Sequence, residues 1–191
     1  MKQIFLSIIM LLTFAPGCQK KLPDNAHLLK QYISAANSHN FEILTELISE
    51  NAAWHLHGDT LIGRAEVLSP LRFDEAINTK LDVRNVQVRG DTVDFDLVEK
   101  NDVLYGLGFD SLIHFGRFVY SNAKIVLKTS RFPPVPFKTL SDSAVAFYQW
   151  LKFSDSLAFN QVISSDGKFQ YSYKSGKIIL DQIPKWRKRN Q

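Results

Sequence analysis

The 191-residue chain contains one cysteine, Cys18, so an internal disulfide is excluded. Nine glycines and seven prolines are too few for a fibrous or low-complexity chain, and no internal repeat is present. The formal net charge of +4 is mild; nucleic-acid binding, which needs a dense basic face, is not indicated. The small basic group Lys185, Arg187, Lys188 and Arg189 reads as a solvated helix end favoured by the helix dipole, or as a contact for anionic lipid heads. The chain has no G-x-S-x-G elbow, no phosphate-binding G-x-x-x-x-G-K loop and no H-E-x-x-H pair. No apolar run reaches the roughly 20 residues of a membrane-spanning helix.

The first residues fall into three zones. Met1-Lys2-Gln3 carries one positive charge, Ile4 to Phe14 is nearly continuous apolar chain, and Ala15-Pro16-Gly17-Cys18 follows. A charged start, an apolar core of about 7–15 residues and a small-residue site define a secretory signal. The place of Cys18 resembles the bacterial lipobox, whose cysteine sulfur receives a diacylglycerol before cleavage. Ala15 and Pro16 depart from that pattern. A plain signal peptide and a buried N-terminal helix are the alternatives. The expectation is a lipoprotein of the bacterial cell envelope. Residues 1–17 are removed, residues 18–26 form a tether, and lipidated Cys18 holds the protein on a membrane facing the periplasm or exterior. Removing 17 of 191 residues leaves 174 with a formal charge of +3, which suits one domain.

Along the mature chain, Leu28, Leu29, Tyr32, Ile33 and Ala36 predict a helix over about 26–37, with Asp24 or Asn25 as its cap. After Asn37-Ser38-His39-Asn40, the residues Phe41, Leu44, Leu47 and Ile48 predict a second helix ending near Glu50-Asn51. The two make an αα-hairpin. Residues 52–57 alternate like a strand, Gly58-Asp59 turns, and 61–64 is a short partner segment. A brief helix follows over 65–71. Strands are predicted at 81–88, 92–99, 113–120 and 124–130, joined pairwise by turns at Gly90-Asp91 and Ser121-Asn122-Ala123. Pro133, Pro134 and Pro136 argue for a linker. Helices are then expected from Ser141 or Asp142 through Leu151, over 157–163, and over 174–189 with interruptions at Gly176 and Pro184.

This order resembles the NTF2-like (SnoaL-like) cone-fold superfamily over about 27–131. The likeness is carried by Tyr32-Ile33-Ser34-Ala35-Ala36-Asn37-Ser38-His39-Asn40-Phe41, by Leu44 with Leu47, by Glu50-Asn51-Ala52-Ala53-Trp54 and by Gly63-Arg64. Val93 to Asp102 continues it. The resemblance implies an α+β fold: a curved antiparallel sheet packed on an N-terminal helix hairpin, with an apolar pocket at the mouth of the cone. Residues 132–191 then form a Pro-rich linker and C-terminal helical extension.

Each candidate site residue has a chemical reason. Tyr32, by its spacing to Asn37, matches the oxyanion-hole tyrosine of ketosteroid-isomerase-like members; a buried phenol can donate to a developing oxyanion. The same count puts the isomerase's carboxylate base at Leu56, which accepts no proton, so that reaction is disfavoured. Trp54 and Leu56 are expected inside. His55 and His57 share the other face, a weak Zn²⁺ or Cu²⁺ pair needing a third ligand such as His39 or His114; exposed histidines are the plainer reading. Val93, Phe95, Leu97 and Glu99 share an inward row, where a desolvated Glu99 would act as acid or base. Glu99 is equally placed to pair with Arg117, expected inside with Ile113, Phe115 and Val119. The pocket expected from sequence is thus Tyr32, Trp54, Leu56, Val93, Phe95, Leu97, Glu99, Phe115 and Arg117, with Tyr32 and Glu99 the weak catalytic candidates. No cofactor is implied. The leading reading is a domain that binds a small apolar or amphipathic ligand, or a protein partner, without turnover. A pocket isomerase or hydratase using Tyr32 and Glu99 is the alternative, and an envelope interaction module the third. A homodimer through the sheet is also expected.

Overall fold

In the computed structural model, which describes residues 24–56 and 59–189, Asp24 starts the first helix by accepting the amide of Ala26 at 3.1 Å. Helix α1 (Asn25–Asn37) buries Leu28, Leu29, Tyr32 and Ile33. Helix α2 (Phe41–Leu47) is capped by Asn40, which accepts the Ile43 amide. Side-chain caps of this kind satisfy first-turn amides that have no partner within the helix. Asn37 then clamps α1 to the sheet: its amide donates to the Leu81 carbonyl at 2.8 Å and its oxygen accepts the Leu81 amide at 2.7 Å. The expectations placed on residues 1–23, Cys18 among them, and on His57 lie outside the described residues.

Six strands follow the hairpin: β1 (Ile48–Leu56), β2 (Asp59–Ile62), β3 (Lys80–Arg89), β4 (Thr92–Lys100), β5 (Leu112–Ser121) and β6 (Lys124–Arg131). Their order in the sheet is β2-β1-β6-β5-β4-β3. The expected all-antiparallel sheet is corrected in one place. β1 runs parallel to β6 (Ala53 beside Leu127, Trp54 beside Lys128), so the sheet is mixed. Parallel neighbours need a long crossover, and everything between β1 and β6 supplies it. Extra residues bend the sheet. β3 gains one between Arg84 and Gln87, where Asn85 takes φ +52°, and β6 gains one at Val126. Such bulges curve a strand and increase its twist. Gly116 allows the tightest contact, since a Cβ there would meet the Phe95 ring at 2.3 Å.

Helix α2 gives way to β1 at Ile48, three residues before the expected helix end. Ile48 pairs with Ile125 in the sheet and is fully buried. Helix α3 (Arg64–Ala76) runs five residues past the expected Leu71 and carries Pro70 buried within it. An unpredicted short helix, α4 (Asp102–Leu107), starts where Asn101 accepts the Leu104 amide at 2.8 Å.

The expected proline linker is instead the start of α5 (Pro134–Ser154). Pro133 stands at the cap and the other two prolines in the first turn, where missing N–H groups cost nothing. Helices α6 (Ser156–Val162) and α7 (Tyr173–Arg189) complete the extension, and α7 continues through Gly176 and Pro184 rather than breaking. The inner face of the sheet packs with α1, α2 and α3 around Tyr32, Trp54, Phe95 and Phe118. A second cluster joins Phe147, Leu151, Val162, Ile179 and Ile183, with Phe73 of α3 packed against it. Among the described residues no helix is long and apolar enough to cross a membrane.

Candidate functional site

Alternation along the strands decides which side chains enter the cone. On β4, Val93, Phe95 and Leu97 are buried, and Glu99 continues their parity. On β1, Trp54 is fully buried and Leu56 packs at the edge of the same core. Tyr32 reaches this interior from α1. Its ring meets Phe118 edge-on at 4.9 Å and Trp54 at 6.3 Å, and Phe118 meets Phe95 at 5.1 Å. These rings floor the cone, and the cavity beside Asp74, Ala36 and Leu44 holds only about 10 Å³.

The parity of β5 is the reverse of the expected one. Leu112, His114, Gly116, Phe118 and Tyr120 point inward, while Ile113, Phe115 and Arg117 point outward. Phe115 and Arg117 therefore leave the expected pocket, and the Glu99–Arg117 pair does not form. Arg117 pairs with Asp94 on the outer face through contacts of 2.6 and 3.1 Å. That ion pair holds the Asp94 carboxyl below its usual range. Together with Asn85, Gln87, Asp96, Phe115, Thr129 and Arg131, the pair lines an open groove of about 900 Å³ on the face the helices leave uncovered.

Inside, Glu99 has different neighbours. Its Oε1 accepts the Asn101 amide at 2.8 Å, and its Oε2 lies 3.7 Å from His114 Nε2. Burial, then repulsion from Asp74, raises the Glu99 carboxyl to about 7, against the pull of Lys128. Burial likewise lifts Asp74, on α3, to about 6, although Lys128 and the Thr79 hydroxyl oppose it. Burial, with Lys128 adding to it, lowers His114 to about 3, so its ring is neutral at pH 7. Burial pushes Lys128 down and Tyr32 well up. Desolvation disfavours the charged form of every group, and the opposite charges restore part of it.

Lys128 and Asp74 were not among the sequence candidates. Lys128 stands opposite Phe118 on one side and beside Trp54 on the other, with its ammonium 4.2 Å from the indole centroid. Tyr32 and Glu99 both belong to the inner face, and neither lines the small cavity beside Asp74. His55 bonds to Thr60 on the outer side of β1, whereas His114 is inside. His39 stands beside the small cavity near Asp74. Among the described residues no three His, Cys, Asp or Glu side chains gather as metal ligands.

The mouth is roofed by the beginning of the extension. Phe132 stacks on His114 at 4.8 Å, and Phe137 stacks on Phe132 at 4.9 Å. Several buried polar atoms have no hydrogen-bond partner among the described residues: the hydroxyls of Tyr32, Tyr120 and Ser130, the indole N–H of Trp54 and both ring nitrogens of His114.

A curved sheet wrapped on a helix hairpin is the fold this chain shares with solved NTF2-like structures. Solved structures share it at low identity. An NTF2-like protein of unknown function from Cytophaga hutchinsonii aligns with a TM-score of 0.51 and 17% identity, over 62% of this chain and 98% of its own. An LEH-like epoxide hydrolase of M. tuberculosis gives 0.51 and 14%, over 63% of this chain and 91% of its own. TerC, co-crystallized with polyporic acid, gives 0.51 and 17%, over 60% and 95%. No protein-family model matches the sequence, and no curated protein does.

Proposed function

We propose that the chain is a lipid-anchored domain of the bacterial cell envelope that holds a small amphipathic molecule at the mouth of its cone without turning it over. The observation behind this reading is the set of buried donors on the inner face. Tyr32 and Trp54 present an O–H and an N–H at no more than 1% residue exposure, and the described chain offers them no acceptor. Buried polar groups are nearly always paired, and each one left alone costs about 1–3 kcal/mol. A guest oxygen recovers that cost.

The anchor rests on Ala15-Pro16-Gly17-Cys18. Native mass spectrometry of the protein purified from its own host is the test. A retained small molecule, lost when the mouth is altered, supports the reading; a consistently bare chain overturns it.

The acid–base groups favour a second reading, turnover. A carboxyl near 7 is matched to proton transfer at neutral pH, and Glu99 has that value beside Lys128 and Asp74. By its spacing from Tyr32, Leu56 falls where the ketosteroid-isomerase base is expected, so the reaction would need a different base. Under this reading a reaction of the retained molecule proceeds in the wild type and stops in Glu99→Gln.

A further inference from the structure

A stretch of the C-terminal extension crosses the mouth of the cone between two firm anchors. At one end Arg131 is the last paired residue of β6, opposite Phe115. At the other, Phe147 is packed into the second core at 1% exposure. No residue from 132 to 146 is buried. Lys138 pairs with Asp142 at 2.6 Å, and the Thr139 hydroxyl donates to the Val135 carbonyl at 3.3 Å, both within the stretch. Such bonds survive if the stretch moves as a unit. Pro133, Pro134 and Pro136 have fixed φ angles, which leaves it few other shapes to adopt.

Two stacked rings pin it over the mouth. Phe132 lies on His114 at 4.8 Å, and Phe137 lies on Phe132 at 4.9 Å. The stack covers a side chain that would gain from water. His114 is 4% exposed, yet both its ring nitrogens lack a hydrogen-bond partner among the described residues. The Glu99 carboxyl lies 3.7 Å from one of them. Buried polar groups are nearly always paired. Lifting the stretch would break the ring contacts on His114 and give its nitrogens water. Opening therefore costs less than unfolding, as in other segments with few buried apolar contacts.

We propose that residues 132–146 form a strap that closes the cone by an autoinhibitory contact, with Phe132 and Phe137 as its latch on His114, and that a guest reaches His114 and Glu99 only when the strap lifts. This inference rests on the binding role proposed above and adds its gate. The apparent affinity for a guest is then reduced by the fraction of protein that is open.

The test is carbethoxylation of His114 by diethyl pyrocarbonate on the full-length protein in detergent, read by peptide mass spectrometry as a function of urea. The reagent needs a neutral ring nitrogen that solvent can reach, and the His114 ring is neutral at pH 7. Exposed His55 gives the unprotected rate. His114 is expected to react far more slowly than His55. Its rate should rise only weakly with urea below the unfolding midpoint, because lifting a strap uncovers little surface. Hydrogen exchange at the Phe95 amide, inside β4, is expected to follow the steep slope of global unfolding. In Phe137→Ala, His114 labelling is expected to accelerate at least about fivefold, the worth of one ring stack, with the Phe95 slope unchanged. His114 labelling as steep in urea as Phe95 exchange overturns the strap, and so does a rate equal to that of His55, which would mean that no latch closes. An unchanged rate in Phe137→Ala overturns the latch. Should that variant fail to fold, the two slopes in the wild type decide. Loss of the strap leaves the binding role standing, whereas a bare chain in native mass spectrometry removes the guest while the labelling still reports the strap.

Discussion

Phe132 lies flat on the imidazole of His114, 4.8 Å between ring centroids and 13° from coplanar. This contact ties the C-terminal extension to the mouth of the cone and excludes water from the ring. Exclusion of water, with Lys128 nearby, holds His114 at about 3 instead of its ordinary 6.5. In Phe132→Ala one face of the ring becomes hydrated and the charged form costs less. The His114 pKa is expected to rise toward 6.5, followed as the pH dependence of its ring-proton chemical shifts. An unchanged low value would assign the shift to Lys128 and the strand instead of the stack.

Glu99 makes the opposite contribution to stability. Its folded value of about 7 lies above the ordinary 4.5, so the folded chain binds a proton that the unfolded chain has already released. Stability from such a group is full below 4.5 and is lost as pH rises to about 7. Gln mimics the protonated acid. Glu99→Gln should match the wild type near pH 4 and become the more stable protein as pH approaches 7, with the gap opening between those limits. Asp74 keeps part of the slope in both proteins, because its carboxyl is raised in the same direction. Urea unfolding at pH 4, 5.5 and 7.5 measures the gap; a constant difference across that range contradicts the burial of Glu99.

Helix hairpin and inward row were legible because each follows a single period. Leu28, Leu29, Tyr32 and Ile33 repeat at helical spacing with Asp24 as cap, and Val93, Phe95 and Leu97 alternate cleanly. The errors arose where two signals conflict. On β5 the outward Ile113 and Phe115 are more apolar than the inward His114 and Gly116, so hydrophobicity pointed to the wrong face. Gly116 is inside because the Phe95 ring occupies the space a side chain would take. On β6, plain alternation pairs Ile125 with Leu127 and sends Lys128 outward. The extra residue at Val126 reverses that, and nothing local in Lys124-Ile125-Val126-Leu127-Lys128 announces a bulge. Asp74 was missed because the expected helix ended at Leu71, whereas α3 runs on to Ala76. The ionisable core of the site thus depended on one bulge and on a helix longer than its expected span.

Membrane attachment makes its own prediction. If Cys18 carries the lipid, Cys18→Ser removes the only sulfur able to accept it. Several acyl chains, each contributing about 0.8 kcal/mol per buried CH₂, are then lost. The wild type is expected in the membrane fraction, labelled by radioactive palmitate. The variant should be unlabelled and released by washing or retained as an uncleaved precursor. Equal labelling of the two proteins would refute the anchor while leaving the fold untouched.

Docking of the extension depends on Gly176. A Cβ at this position would lie 2.6 Å from the Cβ of Ala76 and 3.1 Å from Ile77 Cγ2, at the crossing of α7 on α3. Gly to Ala in a helix interior normally gains about 0.5–1 kcal/mol from propensity. Here two methyl carbons on rigid backbones would have to separate by nearly an ångström, and overpacking of this kind costs about 1–3 kcal/mol. The clash therefore wins, and Gly176→Ala should unfold earlier on heating, by roughly 2–4 °C for each kcal/mol lost. The substitution is far from Glu99 and Lys128 in sequence, but it loosens the helix that holds Ile179 and Ile183 against Phe147 and Leu151. Ala76→Gly should restore part of the loss in the double variant, because it removes the opposing methyl. A double-mutant cycle gives the coupling directly: the double variant is expected to be more stable than the sum of the two single losses, whereas strict additivity would mean that α7 accommodates the methyl without touching α3.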